Sequence, residues 1–145
     1  MADLTAIREG IAAKLVGVLP TTDGNVSAWM LATPVPPLIQ IWGPDEVDYD
    51  VGGYGANDAN WDIIVQAFAG AVSMRGAQER LDNWLASSGA TSVRAVLEAD
   101  QTLGGTAGVY GVIVRRASGY RLFSLPGQSD QVLGAEFVVH IETSG

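Results

Sequence analysis

The sequence contains no cysteine, and it has only one histidine and one lysine among its 145 residues. Without cysteine no disulfide can form, and thiolate metal sites are excluded. The histidine, His140, has no recognisable nucleophile or orienting acid beside it, so it does not indicate a hydrolytic centre. The composition therefore predicts a protein that is not an enzyme and that needs neither a metal nor a cofactor.

Long apolar runs are also missing. No stretch approaches the roughly 20 apolar residues that a membrane-spanning helix requires. The first residues lack the positive charge and the apolar core of a secretory signal. A chain of 145 residues has the length of one compact domain, so we expect a single domain, residues 1–145, without membrane contact.

Positive charge is scarce, and the formal net charge is -8. The first seventy residues hold nine carboxylates against Arg8 and Lys14, whereas the rest of the chain is nearly balanced. An acidic chain repels phosphate, so we expect no specific grip on nucleic acid. This charge is compatible with a surface that DNA passes without binding to it.

The first apolar pattern predicts a helix that Asp3 caps and Pro20 ends. Its stripe consists of Leu4, Ile7, Ile11, Leu15 and Val18. Extended segments follow. The predicted strands are Asn25 to Ala32, Leu38 to Trp42, Glu46 to Val51 and Trp61 to Ala69, of which the last has large residues on both faces and should be central.

Two helices interrupt this β pattern between residues 73 and 105. Ser73 is the expected N-cap of the first and Gly89 its end, while Ser92 is the expected N-cap of the second, which should end near Asp100. A three-strand meander is predicted next, with a turn at Ser118-Gly119. In its last strand we expect Leu133, Ala135, Phe137, Val139 and Ile141 to face inward and Glu136, His140 and Glu142 to face outward.

Together these patterns predict an α+β fold. A mostly antiparallel β-sheet should carry the N-terminal helix and the central helix pair, packed on it. Each of the four tryptophans, taken singly, favours a core position over an interface.

Two charged groups are candidate functional sites. Asp45, Glu46, Asp48 and Asp50 could bind a divalent cation or line a surface that faces DNA, but they equally fit a solvated strand edge where charge discourages unwanted pairing. Arg115 and Arg116 are adjacent in a strand, so at least one should face solvent or a partner. A guanidinium suits a carboxylate of a neighbouring subunit, which the acidic half of a second copy would supply.

Short motifs across most of the chain resemble one known family. They are Gly43-Pro44-Asp45-Glu46, Leu81-Asp82-Asn83-Trp84-Leu85, Ser88-Gly89, Ser92-Val93, Leu103-Gly104-Gly105, Ser118-Gly119-Tyr120-Arg121 and Leu133-Gly134-Ala135-Glu136-Phe137. In these motifs and in its opening helix the chain resembles the tail terminator (tail completion) proteins of long-tailed phages, particularly those of actinobacterial hosts. The motifs are structural and include no catalytic group.

This resemblance implies a structural virion protein that forms a homo-oligomeric, hexameric ring. The ring would cap the tail tube at its head-proximal end, stop tube polymerisation and join the tube to the head–tail connector protein, after assembly in the host cytoplasm. Genomic DNA would pass through the lumen without specific binding. We expect Glu46, Asp48 and Asp50 to face the channel, and Arg115, Arg116 and Arg121 to lie at the subunit interface.

Two alternatives remain open from the sequence. A head–tail connector or head completion protein shares the size, acidity and ring architecture. A soluble module that binds a small ligand would use the glycine-rich loop at residues 52–58 to close over it.

Overall fold

The structure is a computed structural model that describes residues 3–20, 22, 24–49, 51–53, 58–71, 75–127 and 131–144. Three helices lie in these ranges: α1 (Leu4–Leu15), α2 (Arg75–Leu85) and α3 (Val93–Glu98). The strands are β1 (Asn25–Ser27), β2 (Leu38–Tyr49), β3 (Ala59–Ala71), β4 (Val109–Phe123) and β5 (Val132–Thr143).

The strands form one sheet in the order β1-β2-β3-β5-β4. β1 runs parallel to β2, and every other neighbouring pair is antiparallel. The third strand is central, as its two-sided apolar pattern predicts. The predicted α+β class, with a mostly antiparallel sheet, an N-terminal helix and a central helix pair, is confirmed.

The helices cover one face of the sheet. Alternate residues of β3 and β5, among them Ile63, Val65, Phe137 and Val139, are buried in a core shared with the helices. The helices contribute Ile7, Ile11 and Leu15 from α1, Ala77, Leu81 and Trp84 from α2, and Val93 and Leu97 from α3. Burial of one such aliphatic side chain is worth about 1.5–3 kcal/mol, so this layer is a main source of stability.

The predicted N-caps of α1 and α3 are confirmed, whereas α1 ends at Leu15, before the expected stop at Pro20. Asp3 caps α1, since its Oδ1 accepts a hydrogen bond from the Ala6 N–H at 2.8 Å. Ser92 caps α3 in the same way, with the Ala95 N–H donating to its Oγ at 3.1 Å. The predicted N-cap Ser73 lies outside the described residues, and α2 ends at Leu85, before the expected stop at Gly89.

Two predicted strands are in fact one, because β2 continues from Leu38 to Tyr49. Its register against β3 shifts between Ile41 and Gly43 and again between Pro44 and Glu46. Gly43, with φ of 142°, and Pro44, which has no N–H to donate to the ladder, are typical of such irregularities. β1 is shorter than predicted, since the Trp29 N–H turns back to the Ser27 Oγ at 3.2 Å.

The predicted three-strand meander is wrong, because Ser118-Gly119 does not turn the chain. β4 runs from Val109 to Phe123 beside β5, and the additional residues are absorbed by a register shift between Ser118 and Arg121. Gly119 has φ of 71°, which glycine adopts without a Cβ penalty. In the described ranges two strands therefore follow α3, where the sequence pattern predicts three.

Candidate functional site

Polar side chains line the sheet face opposite the helices, which we call the open face. Directly opposite residues on neighbouring strands share a face, so the register defines three polar rows. The rows are Asp48, Asn60 and Glu142; Glu46, Asp62 and His140; and Gln40, Gln66 and Glu136. Because β2, β3 and β5 contain no lysine or arginine, the middle of the open face is acidic.

Hydrogen bonds join the third row into a ladder. Gln40 Nε2 donates to Gln66 Oε1 at 2.9 Å, and Gln66 Nε2 donates to Glu136 Oε2 at 3.1 Å. Gln40 Oε1 in turn accepts from the Leu31 N–H at 3.1 Å. An unpartnered buried amide would cost about 1–3 kcal/mol, so the ladder holds Gln40 in place and fixes the register of three strands.

His140 is buried on the open face, with 6% of its surface exposed, although the sequence predicts an outward position. Its Nδ1 lies 2.7 Å from Asp62 Oδ1, and its Nε2 lies 3.7 Å from Glu142 Oε1. The Glu142 neighbour is expected from spacing, whereas Asp62 is 78 residues away in sequence. The residues opposite His140 are Asp62 and Ile113, neither of which is a nucleophile that would serve an acyl-transfer dyad.

The carboxylates along β2, Asp45, Glu46 and Asp48, which we call the acidic row, are exposed. The predicted alternation is confirmed, since Glu46 and Asp48 lie opposite Asp62 and Asn60, whereas Val47 lies opposite Trp61 on the other face. Asp50 lies outside the described residues. Within the described ranges, no group of three or more histidines and carboxylates is arranged to hold a metal ion.

Arg115, Arg116 and Arg121 are all exposed on β4, the strand at the far edge of the sheet from β2. In the described part of the chain, neither Arg115 nor Arg116 has an ion-pair partner. The Arg121 guanidinium lies 4.5 Å from the centre of the Phe123 ring. The structure does not bring these arginines to the acidic row, because three strand spacings separate the two groups within one subunit.

Arg8 is a surface-organising residue that the sequence does not reveal. Its Nη1 donates to the carbonyls of Ala28 at 3.2 Å and Ile41 at 3.1 Å, and its Nη2 donates to that of Trp42 at 3.4 Å. Its guanidinium also lies 4.9 Å from the Trp29 ring centre. The helical stripe only shows that Arg8 is off the core, because its partners are 20 to 34 residues away.

The tryptophans divide between core and surface. Trp84 is 1% exposed, as the core interpretation predicts, whereas Trp29 and Trp42 are each 49% exposed. The core prediction is therefore wrong for these two, which flank the Arg8 contacts. An exposed tryptophan is typical of a binding surface.

A cleft of about 350 Å³ lies between the end of α1 and α2, lined by Gly17, Leu19, Glu79, Arg80 and Trp84 among others. Arg80 is already engaged, since its Nη1 donates to the Ala69 carbonyl at 3.1 Å. This volume is at the lower end of ligand pockets, which are about 300–1,000 Å³. The glycine-rich loop of the ligand-binding alternative is described only in part, because residues 54–57 lie outside the described ranges.

One carboxylate has a strongly shifted pKa. The Lys14 ammonium, 2.8 Å from Asp100 Oδ2, and then the Thr102 hydroxyl hold the pKa of Asp100 well below its usual range. The N–H groups of Thr102 and Gly104 also donate to this carboxylate. These contacts join α1 to the loop after α3 and lie apart from the open face.

No protein-family model matches the chain, and no curated protein matches it either. Among the described residues, no helix has both the length and the apolar character needed to cross a membrane.

Proposed function

We propose that this chain is a tail terminator, a structural virion protein whose hexameric ring caps a phage tail tube and joins it to the head connector. The observation that supports this most is the two-sided sheet, which has helices on one face and, on the other, no helix and an acidic middle. This is the α+β architecture that the resemblance implies. In a ring with the helices outward, the open face would line the channel.

The charge of the open face suits a channel for DNA. Glu46, Asp48, Asp62, Glu136 and Glu142 share this face, and the three strands that hold them have no lysine or arginine. The two arginines that the register places on the same face, Arg116 and Arg121, lie on β4 at its edge. Phosphates are repelled by such a surface, so DNA would pass without adhering. At physiological salt the screening length is about 8 Å, so the repulsion acts only on DNA close to the wall.

A head–tail connector or head completion protein is the alternative within this class, because it would use the same ring and the same acidic face. The two differ in what the ring contacts. A tail terminator binds the end of the tail tube, whereas a connector binds the portal side.

The test is electron microscopy of the purified protein, alone and mixed with the tail tube of its phage. We expect sixfold rings, and we expect them only at the head-proximal end of the tube. Rings that bind portal complexes but not tube ends would favour the connector, and a protein that binds neither would refute both.

A separate variant, Glu46→Gln with Asp48→Asn, tests whether these two carboxylates face the channel. The fold should be retained, with a change of stability within about 0.5 kcal/mol, because both side chains are exposed. Rings of this variant, prepared at a protein concentration high enough to offset any weaker assembly, should retain double-stranded DNA at low salt, where wild-type rings do not. The control Glu9→Gln with Glu79→Gln removes the same charge from the helix side and should not retain DNA; equal retention by both would contradict a channel-facing row.

A further inference from the structure

The side of β2 that faces away from β3 is occupied by other groups along only about half of the strand. β1 pairs with β2 at Leu38, Ile39 and Gln40 and extends no further. Arg8 then occupies the carbonyls of the next two residues, Ile41 and Trp42. In the part of the chain that the structure describes, no side chain is bonded to the backbone of residues 43–49, which we call the β2 free segment.

The side of β4 that faces away from β5 is occupied by side chains only in the first half of the strand. Gln101 donates its Nε2–H to the Val112 carbonyl at 3.0 Å and accepts from the Val112 N–H at 2.9 Å. Glu98 Oε2 accepts from the Val114 N–H at 2.9 Å. Within the described ranges, no such contact covers residues 115–123, the β4 free segment. Side chains that occupy edge backbone groups prevent strand addition, so on β2 and β4 addition remains possible only at the two free segments.

The two free segments have opposite charge. The β2 free segment has Asp45, Glu46 and Asp48 and no basic residue. The β4 free segment has Arg115, Arg116 and Arg121 and no acidic residue. A cleft of about 170 Å³ beside the latter is lined by Arg94, Arg115 and Arg116 among others. Opposite charges on facing strands attract, whereas like charges directly opposite are destabilising.

Exposed apolar side chains lie mostly on or near the two edge regions, and three of them, Tyr49, Tyr120 and Leu122, are within the free segments. Of the twelve large hydrophobic residues that are exposed in the described ranges, only Val16 lies elsewhere. Trp29, Met30, Leu31, Val35, Trp42, Tyr49 and Val51 are on or beside β2, and Tyr110, Ile113, Tyr120 and Leu122 are on β4. Apolar patches rimmed by charge are typical of protein interfaces.

We infer that the two free segments pair with each other between copies of this chain, the β4 free segment of one copy adding to the β2 free segment of the next. Within a copy β2 and β4 are antiparallel, so copies of like orientation meet in an antiparallel ladder. The contact joins two different surfaces, so it leaves one free edge at each end of a dimer and continues until a ring closes. This inference deepens the proposed function and rests on it for the closed ring.

The positions of the free segments predict how the strands are inclined. The middle of the β2 free segment, Glu46, lies level with His140 of β5, whereas the middle of the β4 free segment, Gly119, lies level with residue 135. Pairing them shifts each copy along the strand direction by about five residues, or ~17 Å. The corresponding distance across the sheet, from β2 of one copy to β2 of the next, is four strand spacings, or ~19 Å in total. The strands would then be tilted by ~40° from the ring axis, within the 35–45° of closed β-barrels.

Charge reversal at each edge tests the pairing. The first variant is Arg115→Glu with Arg116→Glu, and the second is Glu46→Arg with Asp48→Arg. Each alone should raise the concentration needed for assembly about a hundredfold or more, because like charges then face each other across the contact. A 1:1 mixture should assemble again into rings of alternating variants, since both kinds of contact are then complementary. Native mass spectrometry distinguishes these outcomes, with Arg75→Glu on α2 as a control that assembles normally.

Hydrogen exchange provides an independent readout. On assembly of the wild type, those amides in residues 43–49 and 115–123 that do not already bond to β3 or β5 should become protected, while those of Val112 and Val114 should be protected in the monomer already. A wild type that stays monomeric up to its solubility limit, or a mixture that fails to assemble, would overturn the inference.

The inference and the proposed function fail in different ways. Rings that form equally well from each reversed variant would overturn the edge pairing and leave the tail role standing. Rings that follow the charge pattern but do not bind a tube end would overturn the tail role and leave the pairing standing.

Discussion

The two faces of the sheet are made by the same strands, yet they differ in what they contact. On the covered face, residues such as Ile63 and Phe137 are buried against three helices. On the open face, their neighbours Asp62 and Glu136 are held by hydrogen bonds within the sheet. Period-two alternation lets one strand serve a core and a polar surface at once. Exposed side chains of the open face can therefore be changed with little effect on stability, whereas those held in its hydrogen bonds cannot.

The largest loss of stability is expected from a substitution on the covered face. Leu81→Ala leaves a cavity between α2 and the sheet, because Leu81 is fully buried, and should lower the free energy of unfolding by about 2–5 kcal/mol. The matched control Leu31→Ala makes the same change at an exposed site and should cost no more than about 0.5 kcal/mol. Urea unfolding at constant m-value measures both, and equal losses would mean that the two surfaces do not differ as described.

A smaller effect is expected at the centre of the open face. Gln66→Leu removes the partner of both Gln40 and Glu136 and should cost about 1–3 kcal/mol, because the Gln40 amide is buried and would lose its acceptor. Adding Gln40→Leu removes that orphaned amide and should recover part of the loss. Additive losses in a double-mutant cycle would show that the ladder is not a coupled unit.

The smallest effect is expected where neither face is involved. Because Lys14 lowers the pKa of Asp100, this carboxylate stabilises the fold above its unfolded pKa of about 3.9, and the contribution is lost as pH falls below that value. Asp100→Asn should lower the melting temperature at neutral pH, and the gap to the wild type should close on acidification below about pH 4. A difference in melting temperature that stays constant between pH 3 and pH 7 would mean that Asp100→Asn destabilises the protein only through the hydrogen bonds it removes.

Much of the covered face could be predicted from the sequence, because its patterns are local. The stripe of α1, the caps Asp3 and Ser92 and the alternation of β5 each depend on residues a few positions apart. The predicted strand limits are wrong at Gly43 and Gly119, where the strands continue. At such positions glycine indicates a turn and a bulge equally well. A single sequence does not distinguish these, since both use a positive φ.

The open face and the edges were harder to foresee because their contacts are distant in sequence. The alternation in β2 placed Glu46 and Asp48 correctly on one face. The His140–Asp62 contact and the Arg8 contacts depend on pairings that no local pattern encodes. The same holds for Gln101 and Glu98, which occupy the edge of β4 although the sequence marks them only as residues near the end of a helix.

The place of β5 also affects how the chain folds during synthesis. Residues 132–143 form the last strand in sequence, yet they lie between β3 and β4 and give both strands their shared neighbour. Until these residues leave the ribosome, β3 and β4 cannot belong to one sheet, and the pairs that join β3 to β5 span about 60–80 residues. Such long-range pairing slows folding. A nascent chain therefore has no complete pair of edges to offer a second copy before its final strand is in place.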